Sequence, residues 1–160
     1  MAREGRGPGQ GTGSVIVTVQ RDIVIQRPAR EIFEALTNFG EGSRWYTGVV
    51  EAEHEPPGPI AEGTRITQVR LQGRRRELTR YLVKAYEPDR GITLESVGVT
   101  PPSTIRYGLA AAAPGVRLTC VIEVKTGGLL FRLVESRLRR DLDTKLGETL
   151  DAFCQAMERA

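Results

Sequence analysis

The C-terminal stretch constrains the fold more than any other part of the chain. From Leu129 to Met157 apolar side chains recur mainly every fourth position, at Leu130, Val134, Leu138, Leu142, Leu146, Leu150 and Cys154. Phe131, Phe153 and Met157 widen the stripe, and arginines and acids fill the opposite face. This is the 3.6-residue period of an amphipathic helix, which needs an apolar surface to lie on.

Most of what precedes it reads as that surface. Val15, Val17, Val19, Ile23 and Ile25 fall on one face of a first strand. Arg27-Pro28 then opens a helix, with proline at its first position, a stripe of Ile32, Phe33, Leu36 and Phe39, and Gly40 at its end. Ser43 to Thr47, which carries Trp45 and Tyr46, reads as a second helical turn. Six strands follow, over Val49–His54, Gly63–Gln72, Arg75–Glu87, Arg90–Val97, Ser103–Ala111 and Val116–Lys125. Proline and glycine signals separate most of them, and Gly73-Arg74 forms a tight hairpin between Gln72 and Arg75. No strand–helix–strand alternation occurs after residue 48, which argues against a parallel doubly wound sheet. The expected architecture is α+β: a curved antiparallel sheet of about seven strands around a long C-terminal helix. A straight helix does not fit flush on a curved sheet, and the gap is the natural place for a guest.

The chain's 160 residues suit one domain, expected over 15–158. Residues 1–14, with five alternating glycines and almost nothing apolar, read as a disordered tail. Twenty arginines against three lysines leave a net charge of only +3. The one dense basic run is Arg74-Arg75-Arg76, which falls short of a nucleic-acid face. Cys120 and Cys154 stand alone on apolar faces, so reduced core thiols are expected. With a single histidine, His54, no zinc-ligand spacing exists, and neither metal nor cofactor is expected. No apolar run approaches the roughly 18 residues of a membrane span, and no signal peptide is seen, so a cytoplasmic place is expected.

Several local signatures occur together and in order. They are Ile25-Gln26-Arg27-Pro28 leading into Glu31-Ile32-Phe33, then Trp45, Gly63-Thr64-Arg65, Gly73-Arg74, Tyr86-Glu87-Pro88, Tyr107, and Gly127-Gly128-Leu129-Leu130. In this arrangement the chain, from Val15 to about Glu158, resembles the SRPBCC or START-like superfamily, the helix-grip fold of Bet v 1. More narrowly it resembles the bacterial polyketide cyclase/dehydrase and lipid-transport branch. One departure is Pro114-Gly115-Val116, where that family typically has a glycine-threonine pair before strand seven; it should affect the turn rather than the cavity. The resemblance implies an apolar cavity between sheet and helix. Members bind different ligands, and only some catalyse a reaction.

Period-two alternation predicts which side chains face that cavity. Pairing Gln72 with Arg75 sets Ile66 opposite Tyr81, Gln68 opposite Thr79 and Thr64 opposite Val83. Ile92, Leu94 and Ser96 share the inward face, as do Ile105, Tyr107 and Leu109, and Val116, Leu118, Cys120, Ile122 and Val124. The candidate ligand-binding residues are Trp45, Tyr46, Ile66, Gln68, Thr79, Tyr81, Leu94, Ser96, Tyr107, Leu118, Cys120, Phe131 and Leu138. Buried tyrosine hydroxyls need polar partners, and a ligand carbonyl is one. His54 is expected at the rim rather than as a catalytic base.

Three functions suit this pattern. One is a binding protein for a small hydrophobic molecule such as a polyketide, lipid or terpenoid-like compound. The second is a polyketide cyclase or dehydratase, with Tyr81 or Tyr107 assisting proton transfer. Aromatase/cyclase relatives are thought to use a cavity arginine; here Arg65 and Arg80 would enter the cavity only if the register slipped by one. The third is an interaction module in which the basic hairpin 70–76, above all Arg74, Arg75 and Arg76, meets an acidic carrier protein or anionic lipid, with a cavity collapsed by Phe131 and Leu138.

Overall fold

The computed structural model describes residues 15–40, 48–99, 101–128 and 131–159. The glycine-rich segment 1–14, the aromatic pair Trp45 and Tyr46 with the helical turn expected around them, and Leu129 and Leu130 lie outside the described residues.

Seven antiparallel strands form one sheet: β1 (Val15–Ile25), β2 (Val49–Glu55), β3 (Arg65–Gln72), β4 (Arg75–Glu87), β5 (Gly91–Val97), β6 (Ser103–Ala112) and β7 (Gly115–Thr126). Their order across the sheet is β1-β7-β6-β5-β4-β3-β2, so β1 and β2 are the edges. A short helix α1 (Ala29–Thr37) follows β1, and the long helix α2 (Phe131–Arg159) closes the chain. Pro28 stands one residue earlier than expected, at the N-cap of α1 with extended backbone (φ −61°, ψ 145°), and Asn38 rather than Gly40 caps the far end. The stripe itself is as expected: Ile32, Phe33 and Leu36 are buried.

The β3–β4 hairpin carries the expected register, with Gln72 opposite Arg75, Gln68 opposite Thr79 and Ile66 opposite Tyr81. Thr64 continues the ladder opposite Val83, whose N–H donates to its carbonyl at 2.9 Å. Gly73, with φ 62°, supplies the left-handed first position of the two-residue turn. Because the register holds, Arg65 and Arg80 stay on the outer face, exposed. Two bulges interrupt the ladders: Val50 is the extra residue on β2 and Lys84 the extra residue on β4. The second changes the phase of β4, so that Tyr86 turns inward and its ring meets Phe33 of α1, 5.3 Å between centroids.

The core fills the concave side of the sheet. Val19, Ile25, Ile66, Val83, Ile92, Leu94, Leu118 and Cys120 meet Ile32, Phe33 and Leu36 of α1 and Leu146, Leu150, Phe153 and Met157 of α2. Only the C-terminal half of the α2 stripe is buried in this way. Val134, expected inside, is 46% exposed, and Leu133 is 83% exposed. The reason is geometric. The helix is seated at its C-terminal end, and burial along the stripe falls from Leu146 and Leu150 through half-buried Leu142 and Leu138 to exposed Val134.

A surface ion pair lies beside that seat. Arg21 of β1 donates from Nε and Nη2 to both carboxylate oxygens of Asp143, at 2.9 and 2.8 Å. The hydrogen bond and charge of Arg21 hold the Asp143 carboxyl below its ordinary range. The guanidinium lies over buried Gly147, where a Cβ would sit 2.9 Å from Arg21 Nη1. Glycine elsewhere in a helix interior costs about 1 kcal/mol against alanine. Gly147→Ala is therefore expected to stabilise an Arg21→Ala background by about that amount and the wild type by clearly less. Urea unfolding of the four proteins checks this, and equal gains in both backgrounds would refute the stacking.

Cys120 is fully buried opposite Tyr107. Burial pushes its thiol up to about 12, against the opposing effect of the Tyr107 hydrogen bond. The unfolded thiol ionises near 9. The neutral buried thiol thus supports stability fully below that pH, and the support is lost as pH climbs from 9 toward 12. Alkaline unfolding should be shallower in Cys120→Ala than in the parent, and the native thiol should resist disulfide reagents at neutral pH.

Candidate functional site

Between the middle of α2, from Leu138 to Thr149, and the sheet lies a hollow of about 500 Å3. Its walls are buried or half-buried: Ile105 of β6, Ile122 and Val124 of β7, and Leu138, Leu142 and Leu146 of α2. Its rim is exposed and comprises Gly48, Leu71, Gln72, Pro101, Lys145 and Glu148. Polar groups collect toward β3 and β4: half-buried Arg70, Tyr81 at 6% exposure, and Ser103 of β6, with Thr149 facing them from α2. The volume falls within the range of small-molecule sites, and the lining has their usual balance of apolar wall and few polar groups.

Of the residues expected at the ligand, the hollow brings together Tyr81 and Leu138. Ile66, Leu94, Tyr107, Leu118 and Cys120 face the concave side as the alternation predicts, but they are packed in the core and do not line the hollow. Gln68 and Ser96 are buried, and Thr79 is half-buried. Ser96 Oγ accepts the Ser103 N–H at 2.8 Å, an internal bond that joins the ends of β5 and β6. Phe131, half-buried at the start of α2, stands away from the hollow, and Leu138 borders the space without filling it.

The principal correction concerns Arg70. Read as part of the basic hairpin 70–76, it was expected in solvent. It instead follows the parity of Thr64, Ile66 and Gln68 onto the inner face, and its Nη2 lies 3.5 Å from Gln68 Oε1. Three apolar or neutral neighbours at two-residue spacing were the signal for this, stronger than the adjacent run of arginines. The hairpin tip also loses Arg76 as a free cation, because Arg76 donates to Glu51 of β2 at 2.8 Å. Leu142, Lys145, Leu146 and Thr149 follow Leu138 at helical spacing and complete the lid.

His54 turns one ring nitrogen to the Gly58 carbonyl at 2.8 Å. A carbonyl only accepts, so Nε2 carries the proton, and the ring is tied to its own proline-rich turn. Arg65 and Arg80 border a second hollow of about 550 Å3, together with Glu53, Glu55 and Val97, and His54, Ile66 and Tyr81 also line it. Among the described residues no cluster of histidine, cysteine or acidic side chains could hold a metal. Nor, among the described residues, is any helix long and apolar enough to cross a membrane.

Comparison with known proteins agrees with this fold. A protein of unknown function from Staphylococcus aureus superposes with a TM-score of 0.79 at 12% identity, covering 92% of this chain and 96% of that one. An aromatase/cyclase from a Streptomyces species gives 0.72 at 10% identity over 91% and 95%. The two-domain aromatase/cyclase StfQ of the steffimycin pathway gives 0.74 at 11% identity over 90% of this chain, which spans about half of it (51%). These identities establish a shared fold. No curated protein matches the sequence. The profile of one family covers residues 17–158, nearly the whole of the sheet and both helices, and the chain therefore belongs to the polyketide cyclase/dehydrase and lipid transport family.

Proposed function

We propose that the protein binds a small, mainly apolar molecule in the hollow beneath α2, with an oxygen-bearing end directed at Arg70 and Tyr81. The observation that carries this reading is the lining itself: aliphatic walls on three elements and one polar end. Burying an apolar guest there contributes roughly 25 cal/mol per Å2 removed from water. A hydrogen bond from a charged guanidinium adds about 1.5–3 kcal/mol and selects a carbonyl, enolate or acid over a bare hydrocarbon. Family membership supports the hydrophobic character of the guest; its identity as polyketide, lipid or terpenoid-like compound is open to direct test.

A second reading is supported by the same pair of side chains. A poly-carbonyl chain held in one conformer, with Arg70 at a developing enolate and Tyr81 positioned for proton transfer, would cyclise or dehydrate by proximity and charge stabilisation. The aromatase/cyclase neighbours make this reaction class a reasonable candidate.

Mass spectrometry of small molecules co-purified from the native host is the direct test of the binding reading. A guest that leaves unchanged supports carriage, whereas accumulation of a cyclised product supports catalysis. Leu142→Trp should fill the hollow and weaken an apolar fluorescent probe at least about tenfold while leaving the far-UV spectrum intact. Unaltered binding would place the guest elsewhere. Arg70→Gln should reduce affinity for an acidic or carbonyl-bearing ligand by about 10- to 100-fold and leave a matched hydrocarbon nearly unaffected. Tyr81→Phe should abolish turnover in the enzyme and only weaken binding in a carrier.

A further inference from the structure

We propose that Thr149 of α2 recognises a second oxygen on the guest, so that the hollow prefers an apolar molecule with a hydroxyl or carbonyl along its body in addition to its oxygen-bearing end. This rests on the reading of the hollow as a site for an apolar guest held at Arg70 and Tyr81, and it narrows the class of that guest.

Five polar side chains are buried among the described residues: Thr64, Gln68, Ser96, Thr126 and Thr149. Four of them are hydrogen-bonded within the protein. Thr64 Oγ1 accepts the Ala61 N–H at 3.0 Å, and Gln68 Oε1 lies 3.5 Å from Arg70 Nη2. Ser96 Oγ accepts the Ser103 N–H at 2.8 Å, and Thr126 Oγ1 donates to the Val15 carbonyl at 2.8 Å. Thr149 is 9% exposed, and among the described residues its hydroxyl makes no hydrogen bond. A helical threonine has a ready acceptor in the carbonyl four residues back. Thr37 of α1 uses it, donating to the Phe33 carbonyl at 2.8 Å. Thr149 does not use the equivalent carbonyl of Lys145.

The place of this hydroxyl gives it a use. Thr149 lines the hollow with Leu138, Leu142 and Leu146. Steps of four, four and three residues set these side chains on one helix face. Lys145 and Glu148, the other polar residues of α2 at the hollow, belong to its exposed rim. The remaining buried residues of α2 are Leu146, Gly147, Leu150, Phe153 and Met157, so Thr149 is the one hydrogen-bonding side chain in that stripe. On the sheet wall, half-buried Ser103 spends its N–H on Ser96 and turns to the same hollow. An oxygen on the guest would give the Thr149 hydroxyl its missing partner, whereas a bare hydrocarbon would leave it buried and unbonded. Arg70 and Tyr81 belong to the sheet and Thr149 to the helix, so a guest that meets both is held from two sides.

The test is binding of decanoic acid and its monohydroxy isomers, with the hydroxyl moved along the chain, to the full-length protein by displacement of an apolar fluorescent probe. At least one hydroxy isomer is expected to bind about three- to tenfold more tightly than decanoic acid. Thr149→Val should remove that preference without weakening decanoic acid, and Thr149→Ser, which keeps a hydroxyl, should retain it. Valine and threonine have similar helix propensities, so an intact far-UV spectrum is expected. Without added acid, Thr149→Val should raise the urea midpoint, because it removes a buried hydroxyl that has no partner. Decanoic acid binding with no preference for any isomer, a preference that survives in Thr149→Val, or a lowered urea midpoint would overturn the inference and leave the hollow as a binding site. Failure of every acid to bind would overturn the reading of the hollow, and this inference with it.

Discussion

The structure depends on where α2 is attached. Leu146, Leu150, Phe153 and Met157 bury its C-terminal half in the core, and the fork of Arg21 on Asp143 ties its middle to the edge strand β1. Toward its N-terminus the helix loses contact with the core, since Leu142 is half-buried and Val134 exposed. The hollow, its lid of Leu138 and Leu142, and the exposure of Leu133 and Val134 follow from this single geometry. Gly147 belongs to the same attachment, since the guanidinium occupies the place where a side chain would begin.

The sheet divides the labour of its inward residues. Toward α1, where helix and strands are in contact, the inward side chains are core: Tyr107 and Cys120 face each other across β6 and β7 and serve packing. Toward the β3–β4 hairpin, where the helix has lifted away, residues of the same alternation become a lining, and there Tyr81, Arg70 and Ser103 gather. The chemical character of the site is thus decided by distance from the α2 anchor more than by residue type.

Much of this was legible in the sequence. The strand bounds, the hairpin pairing of Gln72 with Arg75 and the inward faces all follow from period two, because one face of each strand is buried and a slip would expose it. The family followed from short signatures in order along the chain. What alternation cannot tell is how far above the sheet the helix runs. Tyr107 and Tyr81 are equivalent as pattern, yet one is packed in the core and the other opens onto the hollow. Arg70 was hidden by its neighbours, since a run of charges suggests solvent even where parity points inward. Val134 failed for the opposite reason: an apolar stripe marks a face, and only the tertiary arrangement decides how much of that face is covered.

The bulge at Lys84 has a consequence for how such a site can diversify. It splits β4 into two frames, one serving the hollow through Tyr81 and the other seating α1 through Tyr86 and Phe33. Because the extra residue absorbs changes of phase and twist, mutations that reshape the guest's surroundings need not propagate into the α1 seat. A single chain can in this way keep its scaffold constant while its specificity drifts.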